Sequence, residues 1–248
     1  MKIAIPARYA SSRFPGKPLA PIAGKPMIER VWARAVQATG DANDIYVATD
    51  DDRIAAAVEG FGGQFVMTRP DHENGTERLA ELVEKLALDD AEIVVNVQGD
   101  EPVISPDIIR LVGEALREHP EAALSTAAEK FTDPSDALSP DMVKTVLDKF
   151  VYAHYFSRAT IPHVRDAAEG ESPFLRHIGI YAYRARTLRT LKDAEPAPTE
   201  ELEKLEQLRA LWHGMKIHVS LYDGPPSIGV DTPADIARVE AFLAEQGA

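Results

Sequence analysis

Lys2-Ile3-Ala4-Ile5-Pro6-Ala7-Arg8-Tyr9-Ala10-Ser11-Ser12-Arg13-Phe14-Pro15-Gly16-Lys17-Pro18 opens the chain after its first methionine. Lys2–Ala7 reads as a buried strand that leads into a loop of small residues, prolines and the cations Arg8, Arg13 and Lys17. In an open α/β sheet, ligands bind outside the carboxyl ends of the strands. Backbone N–H groups of a small-residue loop, reinforced by fixed cations, form a cradle for a triphosphate. The loop is not a P-loop: around Gly24-Lys25 that motif needs Gly where Leu19 stands and Ser or Thr where Pro26 stands. Gly60-Phe61-Gly62-Gly63-Gln64-Phe65 is not a dinucleotide fingerprint either, because it lacks the third glycine and comes after a helix. It reads as the end of that helix before a strand.

The rhythm set by this first strand continues outward. Helices are expected over Pro26–Gln37, Asp51–Glu59, Gly75–Leu86 and Pro106–Glu118, separated by strands Asp44–Thr49, Gln64–Met67 and Glu92–Val97. Such alternation implies βαβ units, hence an α/β fold with a mainly parallel central sheet flanked by helices. Beyond residue 120 the strands Ala122–Ala128, Val143–Leu147, Tyr152–Phe156 and Ile178–Tyr183 lack helices between them, so mixed or antiparallel pairing is expected. Glu200–Leu211 reads as one long, charge-rich helix. A strand at Lys216–Leu221 and a helix from Thr232 complete the chain, with Thr232 as cap and Pro233 in the first turn. No linker or repeat interrupts the 248 residues, which read as one domain with 148–185 as an insertion serving dimerisation and the acceptor site.

Bulk composition narrows the function. With no cysteine, thiol nucleophiles, disulfides and zinc–thiolate sites are excluded. A net charge of −13 argues against a nucleic-acid partner. No apolar stretch approaches a membrane span, and Pro6, Arg8 and Arg13 interrupt any signal-peptide core, so a cytoplasmic location is expected. Yet five of the 27 Lys and Arg residues fall between Arg8 and Arg30, the signature of a small anionic ligand rather than a polynucleotide.

Gln98-Gly99-Asp100-Glu101-Pro102 stands directly after the fourth strand. Carboxylates at a strand's carboxyl end suit Mg²⁺ beside phosphates, since that ion prefers oxygen ligands. The competing role, a helix cap, can be filled by Ser105 or Asp107. Asp231 in Gly229-Val230-Asp231-Thr232-Pro233 is a second such candidate; alone it would read as a cap.

These stretches belong to a larger series. Pro6–Leu19, His72-Glu73-Asn74-Gly75-Thr76-Glu77-Arg78, Asn96–Pro102, Tyr155-Phe156-Ser157-Arg158-Ala159-Thr160-Ile161-Pro162, Arg176-His177-Ile178-Gly179-Ile180-Tyr181, Glu203–Arg209 and Gly229–Pro233 occur in this order. Over essentially the whole chain they resemble the 3-deoxy-manno-octulosonate (Kdo) cytidylyltransferases, also called CMP-Kdo synthetases. The resemblance implies a Rossmann-like nucleotide-diphospho-sugar transferase fold, CTP as donor, Kdo as acceptor, Mg²⁺ as cofactor, a homodimer, and a place in lipopolysaccharide biosynthesis.

It also implies roles. Arg8, Ser11, Arg13 and Lys17 would hold the triphosphate; Gly75, Thr76, Arg78 and Gln98 would line the nucleotide and sugar pocket; Asp100 and Asp231 would bind Mg²⁺. Arg8 and Lys17 would join the two aspartates in catalysis, while Arg158, His177, Tyr181, Glu206 and Gln207 would line the sugar site. His177 and Tyr181, four apart on a strand, could equally be core neighbours, and Glu206 a solvated helix residue. Glu201, Glu203 and Lys204 read as solvated. Two departures from the family pattern, Asn74 where Ser is usual and His163 where a large aromatic is usual, fall near the acceptor pocket. They keep the 8-amino analogue of Kdo, and more remotely a sialic acid, as alternative acceptors. A nucleotide-sensing module without turnover is the alternative of another class.

Overall fold

A computed structural model describes residues 1–10, 14–72, 74–166, 173–225 and 227–246. Strand β1 (Lys2–Ala7) leads to a two-residue-per-arm hairpin, β2 (Pro21–Ile22) and β3 (Lys25–Pro26), and to helix α1 (Met27–Thr39). Then come β4 (Ile45–Thr49), α2 (Asp52–Gly60), β5 (Gln64–Met67), α3 (Gly75–Lys85), β6 (Ile93–Asn96) and α4 (Pro106–Glu118). The second half holds β7 (Leu124–Lys130), β8 (Lys144–Leu147), β9 (Ala153–Ser157), β10 (Leu175–Arg184), α5 (Ala185–Asp193), α6 (Pro198–Glu203), α7 (Gln207–Trp212), β11 (Ile217–Leu221) and α8 (Pro233–Glu245).

The sheet order is β11-β7-β10-β6-β1-β4-β5, with β8 and β9 branching from β10. β1 is central and runs parallel to both neighbours, Ile3 facing Ile45 on β4 and Val95 on β6. Its residues alternate between two cores, as a strand buried on both faces requires. Ile3 and Ile5 pack with Val31 of α1, Val58 of α2 and Ile109 of α4, while Ala4 packs with Leu79 of α3, Leu188 of α5 and Leu208 of α7. A third cluster seats α8 on the small hairpin through Ile22, Met27, Val239 and Leu243. The expected mixed pairing is present: β10 is antiparallel to β6 and to β7, and β11 is parallel to β7. β6, β1, β7 and β11 therefore end at one edge of the sheet, and that edge carries the site.

The second half departs from the sequence reading. Glu200–Leu211 is not one helix: α6 stops at Glu203, Lys204 adopts a left-handed backbone (φ 53°), and α7 starts at Gln207. The break lets both Leu205 and Leu208 enter the core, while Glu200 and Arg209 pair at 2.7 Å across it. Helix α5 was not expected, because β10 runs into it through Arg184 without a glycine or proline to mark the turn. The last part of the 148–185 stretch is β10, a strand inside the main sheet.

Candidate active site

The loop leaving β1 folds back on itself. Gly16 donates its N–H to the Tyr9 carbonyl (2.9 Å) with φ at +73°, and a Cβ there would lie 3.1 Å from the Tyr9 ring. Arg53 of α2 lies over that ring, 3.3 Å from its centroid. Ser11 and Arg13 lie outside the described residues. Beside this loop runs the one after β6. A Cβ on Gly99 would stand 2.6 Å from the Pro6 carbonyl oxygen, so only glycine allows the two strand-end loops to touch.

Between them opens a cleft of about 480 Å³, with Arg8, Lys17, Gly75, Gln98 and Asp100 among its walls. Helix α3 points its first turn at this cleft. Asn74 caps it, accepting from Glu77 N–H at 2.9 Å. Ser, the usual residue here, caps in the same way, so the departure at Asn74 keeps the geometry. The N-terminus of a helix suits an anion. Arg8 donates to the His72 carbonyl (3.0 Å), fixing the loop before α3. Arg78 lies under the cleft, 1% exposed, bonded to the Thr68 hydroxyl and 3.4 Å from Asp50; burial lowers its pKa.

Lys17 brings the two candidate metal ligands together. Its ammonium lies 2.7 Å from Asp100 Oδ2 and 3.9 Å from Asp231 Oδ1, and it donates to the Val230 carbonyl at 2.9 Å. Contrary to expectation, Asp231 does not stand at a strand end; the loop after β11 carries it in, pinned by Val230 N–H to the Asp100 carbonyl at 2.9 Å. Neither aspartate is needed as a cap. Ser105 caps α4, and Asp235 accepts from both the N–H and the hydroxyl of Thr232 at the start of α8. Two carboxylates gathered round one cation are a donor set that suits Mg²⁺, which takes one or two carboxylates and completes its shell with phosphate and water. Glu101 turns the other way. It accepts from Ser227 and lines a further cavity of about 390 Å³ with Asp231, Arg176 and His177, where burial pushes its carboxyl up to about 7.

A second pocket, of about 210 Å³, adjoins the cleft and shares Gly75 and Gln98 with it. Thr76, Tyr181, Lys204, Glu206 and Gln207 also line it. The Thr76 hydroxyl donates to Glu206 at 2.8 Å, while partial withdrawal from water raises the Glu206 carboxyl above its ordinary value. Burial raises the phenols of Tyr181 and Tyr183 well above theirs, so both stay protonated donors. Asn96 Oδ1 and Gln207 Nε2 are buried there without a hydrogen-bond partner. An unfilled acceptor and an unfilled donor facing one polar pocket call for a ligand rich in hydroxyls.

The remaining expected sugar residues behave differently. His177 meets Phe156 edge-on and Tyr181 at a tilt, and bonds Thr126 Oγ1 at 2.9 Å. Burial pushes its imidazole down to about 3, so it is neutral near pH 7. Arg158 lies apart from the pocket, donating to the carbonyls of Glu203 (2.7 Å) and Pro140 (3.0 Å). Glu203, read from the sequence as solvated, is the anchor of this corner, accepting from Ser157 Oγ at 2.6 Å and Arg158 N–H at 2.8 Å. Lys204, read the same way, is in the pocket wall. Both were hidden in a charge run that any exposed helix could carry.

A triphosphate-sized cationic cleft, a pair of aspartates and an adjoining polar pocket, all at the carboxyl edge of a mainly parallel sheet, define a nucleotidyltransferase. Residues 3–217 match the Cytidylyltransferase family. The 3-deoxy-manno-octulosonate cytidylyltransferase of Vibrio parahaemolyticus is 50% identical over 98% of both chains, and that of Aliivibrio fischeri is 52% identical over 98% of both. A solved CMP:2-keto-3-deoxy-manno-octonic acid synthetase, complexed with CTP, is 42% identical and superposes with a TM-score of 0.91 over 99% of this chain and 98% of that one. The chain belongs to the 3-deoxy-manno-octulosonate cytidylyltransferase family.

Proposed function

We propose that the enzyme transfers CMP from CTP to the anomeric hydroxyl of Kdo and releases pyrophosphate, supplying the activated sugar for lipopolysaccharide. The observation that carries this reading is the meeting of the two cavities at Gly75 and Gln98. A donor held by Arg8, Lys17 and the α3 N-terminus there lies next to an acceptor held by Tyr181, Glu206 and Gln207. The acceptor oxygen attacks the α-phosphorus in line as the bond to the β-phosphate breaks. Such transfer depends on positioning and charge neutralisation rather than on a covalent intermediate. Arg8 and Lys17 offset the repulsion between a triphosphate and an acid, and Gln98, at the junction, can orient either partner.

Asp100 and Asp231 would hold Mg²⁺, which when bound neutralises charge on the triphosphate and on departing pyrophosphate. Among the described residues no group of three or more potential ligands forms. No helix among them is long and apolar enough to cross a membrane. We read the enzyme as cytoplasmic, because its donor is a nucleoside triphosphate. It is also read as a homodimer joined partly through 148–185, where Phe150 stays 62% exposed. The test of the activity crosses CTP, UTP and ATP with Kdo, its 8-amino analogue and N-acetylneuraminate, monitoring pyrophosphate. CTP with Kdo should be the fastest pair; a faster release with another pair would reassign donor or acceptor.

A further inference from the structure

Glu101 is a carboxylate that the transfer chemistry leaves unused, although it neighbours both metal-binding candidates. Its backbone is fixed on both sides: its N–H donates to the Gln98 carbonyl and its carbonyl accepts from Ile104 N–H, each at 3.2 Å. With the close approach of Gly99 to Pro6, these bonds make the loop between β6 and α4 a firm base for Asp100. Asp231 stands on a less regular stretch. Among the described residues no helix or strand lies between Leu221, where β11 ends, and Pro233, where α8 begins.

The side chain of Glu101 joins the two segments. It accepts from the Ser227 hydroxyl, on the stretch that carries Asp231. Gly229 passes so near that a Cβ there would stand 3.1 Å from Glu101 Oε1. One residue later, Val230 N–H donates to the Asp100 carbonyl at 2.9 Å. The stretch is thus held against the Asp100 segment at Ser227 and at Val230, and the next side chain is Asp231. Stability alone does not account for a carboxylate at this place, because burial and the charges of Asp100 and Asp231 all oppose its ionisation. Nor is Glu101 occupied as a helix cap, since Ser105 caps α4. Groups that orient a metal's ligands without touching the metal govern its affinity nearly as strongly as the ligands do.

We propose that Glu101 is a positioning residue that, through the Ser227 hydroxyl, sets Asp231 opposite Asp100 for the divalent cation, an inference that rests on reading those aspartates as the magnesium pair. The experiment measures Mn²⁺ binding by electron paramagnetic resonance, on enzyme with CTP and no acceptor, beside the Mg²⁺ dependence of pyrophosphate release. It compares the wild type, Glu101→Met, Glu101→Gln, Ser227→Ala and the Glu101→Met/Ser227→Ala double variant, with Asp231→Asn as reference. Glu101→Met and Ser227→Ala should each weaken Mn²⁺ binding about tenfold and raise the half-saturating Mg²⁺ concentration about as much. The double variant should bind no more weakly than either single one, because all three break the same contact. Glu101→Gln keeps an oxygen that accepts from Ser227 and should bind within about threefold of wild type. Where Glu101→Met fails to fold, Ser227→Ala carries the same test. Unchanged Mn²⁺ binding in Glu101→Met or Ser227→Ala, even with a lowered Tm, would overturn the assignment. So would Glu101→Gln as weak as Glu101→Met, the pattern of a charge acting directly on the ion. Wild-type Mn²⁺ affinity in Asp231→Asn would overturn the reading of the magnesium pair, and this inference with it.

Discussion

Replacing Lys17 by methionine removes its charge and keeps most of its stem, so it separates the electrostatic role from packing. In the wild type the ammonium, on a side chain only 15% exposed, sits 2.7 Å from Asp100 and 2.9 Å from the Val230 carbonyl, with Asp231 at 3.9 Å. Both aspartates are substantially in water, at 38% and 59% exposure, which weakens each pair by screening. Losing one charge-assisted hydrogen bond and one bond to a carbonyl should therefore cost about 1–2 kcal/mol, a fall of roughly 3–6 °C in Tm for a chain of this length. The sequence alone suggests a purely catalytic lysine; these contacts give it a modest structural part as well. Catalysis should suffer far more. Loss of a preorganised charge beside the transferring phosphoryl group lowers kcat by about 10²- to 10³-fold. Added Mg²⁺ should raise the Tm of Lys17→Met more than that of the wild type, because the ion would stand where the ammonium separated two carboxylates. Steady-state pyrophosphate release and thermal melts with and without Mg²⁺ provide the readings. A kcat within a few-fold of wild type would refute the reasoning, and so would equal Mg²⁺ stabilisation of the two proteins.

Asp100→Asn and Asp231→Asn should each lower turnover severely while leaving the fold intact, and the double variant should lose much less than the two losses combined, since the pair acts as a unit; small, additive losses would contradict a shared ion. Glu81 should make part of the stability pH-dependent. Desolvation pushes its carboxyl up, but the Arg69 N–H, the His72 ring and Lys85 outweigh this and hold it at about 2, below the ordinary 4.5. A depressed carboxylate contributes fully above about 4.5, and that contribution, at most about 3 kcal/mol, is lost as pH falls toward 2. Melts of Glu81→Gln should show lower stability at pH 7 and a flatter decline through that window; curves parallel to wild type would remove the linkage. Light scattering at micromolar concentration should report a dimer, and a monomer would end that part of the reading.

The first half of the fold was legible because its signals are local. Ile3-Ala4-Ile5 carries the period of a strand buried on both faces, and the helices announce themselves through caps at Asp51, Asn74 and Ser105. The break at Lys204 was not legible, since charge pairs at helical spacing fit one helix or two, and a left-handed residue other than glycine leaves no mark in composition. Asp100 and Asp231 could be chosen as candidates from strand-end logic, yet their meeting at Lys17 depends on contacts spanning 83 and 213 positions that no local pattern encodes. The reverse holds for Arg158. Its motif matches the family, but its guanidinium serves backbone carbonyls, and only the fold reveals that Glu203 and Pro140 come within its reach.

The central claim is that the cleft and the pocket that meet at Gly75 and Gln98 join one nucleotide to one sugar acid. Phosphorus NMR of the enzyme with CTP, Kdo and Mg²⁺ observes that union directly. The account predicts that the triphosphate signals give way to a phosphodiester of CMP with the sugar and to pyrophosphate, in equal amounts. Free CMP in place of the phosphodiester, or CTP left unchanged, would contradict it.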